Sequence, residues 1–128
     1  MRIEHIAVTA ILLALAHAST AQTAAHPLIG TWINDKSGFC GRSIVVVTAV
    51  EESGLVRGTF NCERTGWTPV MGEKIDKNAV KGTHIGTRFG MENADGGGFD
   101  VTREGATLKG VGKVRASMTP NPTIYIKQ

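Results

Sequence analysis

Residues 43–50, Ser-Ile-Val-Val-Val-Thr-Ala-Val, are the run of sequence that decides the fold. Its β-branched side chains fit a pleated surface and lose rotamer freedom in a helix, so the run predicts a central β-strand. The turn sequence Glu51-Glu52-Ser53-Gly54 follows, and residues 55–62 then alternate between the two faces of a strand. This second run places Val56, Phe60 and Cys62 on one face and Arg57, Thr59 and Asn61 on the other. Together the two runs predict a β-hairpin.

The two cysteines of the chain lie near the open end of this hairpin. If Val50 faces Leu55 across the turn, Cys62 lies opposite Ser43, three residues from Cys40. A bulge or Gly41 can absorb an offset of that size. We therefore predict a disulfide between Cys40 and Cys62, which requires Cα atoms within about 7 Å. Two free thiols or an intermolecular bond are the alternatives.

The amino-terminal end predicts export. Residues 6–16 are uncharged and apolar, which fits the core of a secretory signal and is too short for a membrane span. The small residues Ser19-Thr20-Ala21 predict cleavage between Ala21 and Gln22, and cleavage after Ala18 is the alternative. We expect a signal peptide over residues 1–21 and a secreted or periplasmic protein, a compartment in which disulfides persist.

The remaining residues, 22–128, are one domain's worth of chain. Cleavage removes one arginine and one glutamate, so the net charge stays at +3, and the charges are interspersed. Nothing resembles a basic stripe for nucleic acid, and we expect no membrane span in the mature chain. The sequence does not determine the oligomeric state. A body this small gains from a covalent link such as the predicted disulfide.

Short Val-, Ile-, Thr- and Phe-rich runs separated by glycine fill the rest of the chain and indicate hairpins. With the first hairpin they predict about eight strands, at 28–33, 43–50, 55–62, 70–75, 83–91, 99–103, 107–115 and 123–127. Turns are expected at 76–78 and 93–98. The fold class is therefore all-β, a single small antiparallel meander closed into a barrel, with a two-sheet sandwich as the alternative.

The last two strands carry specific orientation predictions. One face of the strand at 107–115 is predicted to carry Leu108, Gly110, Gly112 and Val114, and the other, solvent-facing side carries Lys109, Lys113 and Arg115. Residues 119–122, Thr-Pro-Asn-Pro, are expected to block regular pairing. The final strand is predicted with Ile124 and Ile126 inward.

The sequence contains no recognisable motif for catalysis or metal binding. Residues 110–113 superficially resemble a phosphate loop but lie inside a predicted strand. Asp95 beside Gly96 lacks the alternating carboxylates of a calcium loop. His26 and His84 have no spacing that joins them to the cysteines as zinc ligands. We therefore expect no metal, no cofactor and no enzymatic activity.

Aromatic residues are the best ligand-binding candidates. Trp32 and Trp67 lie near strand ends and glycines, and Phe60 shares a face with Cys62. A tryptophan at a barrel mouth can cover a ligand, whereas Trp32 can instead fill the closed end of the core. We predict Trp32, Phe60 and Trp67 as ligand-binding residues, with this core role as the alternative for Trp32.

Gly30-Thr31-Trp32 on the first strand, followed by hairpins and Gly58-Thr59-Phe60, resembles the calycin group. Avidins, lipocalins and the bacterial secreted-metalloprotease inhibitors of that group share a meander barrel. The sequence departs from avidins at Phe60, where their ligand-binding tyrosine is expected, and lacks the later tryptophans of that pocket. The resemblance therefore does not extend to biotin.

The order Gly30-x-Trp32, Cys40, Cys62, Trp67 is similar to that of the metalloprotease inhibitors. Trp67 follows Cys62 more closely than in that family, and residues 111–128 extend past its usual end. In that family a flexible amino-terminal segment enters the protease cleft. The resemblance implies that Gln22 to Leu28, with His26 and Pro27, is the corresponding segment.

Two functions follow as hypotheses. The first is a non-enzymatic barrel that binds a small apolar or amphipathic ligand at its mouth. The alternative is a periplasmic inhibitor of a secreted zinc protease, acting through Gln22, His26 and Pro27. The expected partner is thus a small molecule or a protease.

Overall fold

The structure is a computed structural model and describes residues 25–72 and 79–128. Within these ranges it has one short 3-10 turn, Gly38–Cys40, and nine strands: β1 Gly30–Ser37, β2 Gly41–Val50, β3 Leu55–Cys62, β4 Val70–Met71, β5 Ala79–Ile85, β6 Arg88–Asn93, β7 Gly98–Glu104, β8 Thr107–Lys113 and β9 Asn121–Lys127. No helix in the described ranges is long and apolar enough to span a bilayer. The predicted signal peptide lies outside them.

The nine strands form one closed barrel in chain order. Closure comes from β9 returning to β1, where Trp32 pairs with Lys127 and Ile33 with Ile126. Neighbouring strands are antiparallel except β4 and β5, which are parallel, and β3 also pairs directly with β5. The predicted all-β barrel is confirmed and the sandwich alternative is not, although the barrel has nine strands rather than eight.

The additional strand arises in the middle of the chain. The strand predicted over 83–91 is a hairpin, because β5 ends at Ile85 and β6 begins at Arg88. Gly86 supplies the turn with a φ of +59°, a conformation that glycine adopts without steric cost. Of the strand predicted over 70–75, the described part is β4, Val70–Met71; residues 73–75 and the turn predicted at 76–78 lie outside the described residues.

The first hairpin has the predicted register at its open end, where Ser43 lies opposite Cys62. Cys40 and Cys62 form a disulfide with Cα atoms 4.8 Å apart. Toward the turn the prediction is wrong by one residue, because Val50 pairs with Val56 and not with Leu55. An extra residue on β2 between Val47 and Ala49 makes a bulge there, and such bulges bend a strand as it enters a barrel.

The final strand faces the opposite way to the prediction. Tyr125 is only 3% exposed, whereas Ile124 and Ile126 are 48% and 47% exposed. The cause is register, since Tyr125 lies opposite the fully buried Leu108, and a slip of one residue exchanges the two faces of a strand. Pairing is also not blocked before it, because Asn121 and Pro122 lie opposite Gly112 and Val111. Val114, predicted inward, lies beyond the end of β8 and is exposed.

One end of the barrel is sealed by the turn that precedes β1. Leu28 is buried there beneath Trp32, whose indole Nε1 donates a hydrogen bond of 2.8 Å to the Leu28 carbonyl. The Lys127 ammonium, on the last strand, donates to the Pro27 carbonyl at 2.9 Å and lies 5.4 Å from the centre of the Trp32 ring. The turn before β1 is thus joined to the last strand at this end of the barrel.

Removing the disulfide tests its contribution to this fold. The double substitution Cys40→Ala and Cys62→Ala is expected to lower the free energy of unfolding by about 3 kcal/mol, because the unfolded chain regains the freedom of the open loop. Urea unfolding monitored by circular dichroism measures the difference. Reducing agent should lower the midpoint of the natural sequence and leave the double variant unchanged. Equal midpoints for the oxidised protein and the variant would contradict a stabilising role.

Candidate functional site

The end of the barrel opposite Trp32, which we call the mouth, holds a cavity of about 700 Å³, the mouth cavity. It opens among the ends of β1, β3, β6 and β8 and the start of β9. The apolar side chains that line it are Phe60, Trp67, Met91, Phe99 and Met118, together with the disulfide Cys40–Cys62. The polar ones on its floor are Asn34, Ser37, Ser43 and Tyr125. The volume is in the range of protein sites for small organic molecules.

An aromatic pair forms one wall of the cavity. The rings of Phe60 and Trp67 meet edge to face with centroids 5.6 Å apart. Trp67 follows a tight loop after β3, and its carbonyl accepts a 2.9 Å hydrogen bond from the Cys62 amide. Gly66, with a φ of +70°, lets the chain reverse within this loop. The disulfide therefore holds the end of β3 at the point where Trp67 folds back against Phe60.

Four polar side chains converge on the cavity floor. The row begins with Asn34 on β1 opposite Ser43 on β2, and both are buried. A bulge in β1 after Asn34 turns Ser37 toward Ser43, and the two hydroxyls are hydrogen-bonded to each other. Against the rise that burial causes, the Ser43 hydroxyl is close enough to Tyr125 to lower its pKa. The Asn34 Oδ1 instead accepts a 3.0 Å hydrogen bond from the Lys36 amide. Hydroxyl and amide groups of this kind can donate to and accept from a polar group on a ligand.

Tyr125 remains a neutral hydroxyl over the whole physiological range. Burial raises its pKa to about 12, and the nearby Ser43 hydroxyl opposes that rise in part. An uncharged phenol both donates and accepts hydrogen bonds. The floor of the cavity is thus polar without being charged.

The structure brings two of the three predicted ligand-binding residues together. Phe60 and Trp67 are in contact at the cavity wall, whereas Trp32 is 0% exposed at the sealed end and does not line the cavity. That is where the alternative, a core role, places Trp32. Sequence reasoning missed Asn34, Ser43 and Tyr125. The sequence does carry a signal for the first two residues. Asn34 shares a strand face with Trp32, and the register of the first hairpin places Ser43 opposite Cys62.

The segment proposed to inhibit a protease approaches the sealed end, away from the cavity. Gln22 lies outside the described residues; His26 is half-buried and Pro27 exposed. Leu28, at the end of that segment, is part of the hydrophobic core. The His26 Nδ1 accepts a 3.1 Å hydrogen bond from the Leu28 amide, which fixes the turn. The inhibitory role of this segment stays a prediction.

His26 and His84 contact each other at the sealed end, with ring centroids 4.8 Å apart. Burial lowers the pKa of His26, and the positive charges of His84 and Arg103 lower it further. Nδ1 of His84 is buried without a hydrogen-bond partner among the described residues. In the same residues no group of three or more His, Cys, Asp or Glu side chains could hold a metal ion.

A second depression, of about 430 Å³, lies beside β5, β6 and β7. Gly90 lies between Thr83 and Asp100 in neighbouring strands, so the surface lacks a side chain there. The Arg88 guanidinium and the Asp100 carboxylate beside it pair with each other at 2.5 Å. Because the charges of Arg88 and Asp100 neutralise each other, this depression is a weaker candidate for a ligand-binding site than the mouth cavity.

Comparison of the chain with protein-family models, with curated proteins and with solved structures gives no match.

The chain has one tyrosine, so its ionisation can be followed directly by ultraviolet absorbance. We expect the phenolate of Tyr125 to appear with a midpoint of about pH 12, against about 10 for an exposed tyrosine. Because the unfolded chain releases this proton at lower pH, stability falls as the pH rises from about 10 toward 12. Circular dichroism at each pH identifies the folded range. A midpoint near 10 in folded protein would show that the floor is solvated.

Acidification tests the sealed end. His26 has a lowered pKa when folded, so stability is complete above its ordinary value of 6.5 and declines as the pH falls below that value. We expect the melting temperature to drop between about pH 7.5 and about pH 5.5. His26→Asn should reduce this drop, because an asparagine oxygen can accept from the amide two residues ahead and does not titrate. The same drop in both proteins would rule out His26 as its source.

Proposed function

We propose that this protein is an exported, non-enzymatic binding protein for a small amphipathic molecule, held in the mouth cavity of its barrel. The observation that carries the proposal is a one-ended cavity with an aromatic wall and an uncharged polar floor. An apolar ligand body gains free energy by leaving water for the wall of Phe60 and Trp67. The polar floor sets the ligand's orientation through hydrogen bonds.

The floor defines the kind of polar group that fits. Ser43 and Tyr125 are buried hydroxyls, and Asn34 adds an amide. A neutral carbonyl, amide or hydroxyl group can satisfy them, whereas a purely apolar ligand leaves them without partners after displacing water. The proposed ligand therefore combines an apolar body with a neutral hydrogen-bonding head.

The calycin resemblance supports the same proposal. A closed meander barrel with Gly30-Thr31-Trp32 on the first strand and a cavity at the far end is what that resemblance implies. The proposed ligand differs from that of avidins. At Phe60 a phenyl ring offers it apolar contact area, whereas a tyrosine would offer a hydroxyl. Export through the signal at residues 1–21 is part of the proposal.

Titration with the neutral dye N-phenyl-1-naphthylamine tests the proposal, since its fluorescence rises in an apolar site and its anilino N–H can bond to the floor. We expect saturable binding and a raised melting temperature in the presence of the dye. Trp67→Ala should weaken binding about tenfold by removing half of the aromatic wall.

Ile85→Ala serves as the control, because Ile85 is an exposed apolar side chain on β5 that does not line the mouth cavity. It should leave dye affinity unchanged. Absence of saturable binding, or equal affinity of Trp67→Ala and the natural sequence, would refute the cavity as the binding site.

A further inference from the structure

Cations dominate the rim of the mouth cavity. Lys36 on β1, Lys113 at the end of β8 and Arg115 just beyond it line the opening, and among the described residues that line it Asp95 is the one acidic side chain. The rim therefore carries an excess of positive charge above an uncharged floor.

Among the described residues, the rim cations lack the carboxylate partners that four cations away from the mouth have, and the same is true of Arg64, Lys81, Arg103 and Lys127. Arg42, Arg57, Arg88 and Lys109, which do not line the mouth cavity, each lie within 4.0 Å of a carboxylate. Within residues 25–72 and 79–128, no carboxylate pairs with any of the three rim cations at that distance. Lys113 has a 3.4 Å hydrogen bond to the Ala116 carbonyl, which leaves its charge unneutralised.

The rim cations are held near the opening by the fold. Lys36 belongs to the bulged end of β1, and Lys113 ends β8, so the two flank the start of β9. The segment after Lys113 rests on the turn between β6 and β7, where the Ala116 amide donates to the Asp95 carbonyl at 3.1 Å. Ala116 packs closely on Gly96 in this contact. Arg115 is therefore carried on a docked segment beside the cavity.

We propose that the ligand of this cavity also carries an anionic group: its apolar body lies on the wall of Phe60 and Trp67 with its neutral head on the floor, and the negatively charged group lies at the rim on Lys36, Lys113 and Arg115. Unpaired cations at the mouth of a cleft with low-dielectric walls attract an anion more strongly than the same charges do on an open surface. A carboxylate, phosphate or sulfonate shares this chemistry. The inference rests on the proposed function of the same cavity.

Two dyes that differ by one charged group provide the test. 2-Anilinonaphthalene-6-sulfonate and its uncharged parent N-phenyl-2-naphthylamine differ only in a sulfonate that lies at the far end of the ring system from the anilino N–H, so the comparison isolates the anionic group. We expect the sulfonate dye to bind about tenfold more tightly at low salt, with the advantage shrinking as salt is added. The triple substitution Lys36→Gln, Lys113→Gln and Arg115→Gln should remove the advantage, so that the two dyes bind with similar affinity.

Lys109→Gln is the matched control for the rim charges. Lys109 is on the same strand as Lys113, is exposed, and pairs with Glu104 away from the cavity. It should alter neither dye's affinity. If the neutral dye binds but the sulfonate dye binds no more tightly, or if the triple variant keeps the advantage, the anion inference fails while the binding function stands. If neither dye binds, both fail.

Discussion

The hydrogen bond from the Trp32 indole to the Leu28 carbonyl is the interaction on which the rest of the structure depends. It lies in the core, where leaving either group unpaired would cost about 1–3 kcal/mol. By holding the turn of residues 26–29 under the barrel, it seals one end and leaves the other as the route to the interior. The Lys127 bond to Pro27 reinforces this seal from the strand that closes the barrel.

The open end is organised by different constraints. The disulfide fixes the 3-10 turn after β1 to the end of β3, and the β1 bulge directs Ser37 toward Ser43. Both features lie where a barrel can depart from regular pairing without losing its core. The sealed end thus carries the apolar burial of Leu28 and Trp32, while the mouth carries buried hydroxyls and rim cations. Such a separation of the stabilising core from the binding region is common in folded proteins that carry binding sites.

Much of the barrel could be predicted from local sequence, because the first hairpin has strong β-branched alternation and one turn. The pairing of Ser43 with Cys62, and with it the disulfide, followed from that hairpin alone. The hairpin at Gly86 was missed because the apolar pattern continues through a two-residue turn. Ile124 and Ile126 were placed inward on hydrophobicity, yet pairing with β8 fixed the orientation and buried Tyr125 instead. The floor of the cavity was missed for the same reason. It depends on the inward orientation of Tyr125 and on the β1 bulge, and the sequence pattern reveals neither.

The two tryptophan indole N–H signals in an amide NMR spectrum test the central claim most directly, because one tryptophan lies at each end of the barrel. On saturation with N-phenyl-1-naphthylamine, a barrel sealed at Trp32 and open at Trp67 should shift the Trp67 signal and leave the Trp32 signal in place. A shift of the Trp32 signal with Trp67 unchanged would show that ligands enter from the end described here as sealed, and would contradict this account.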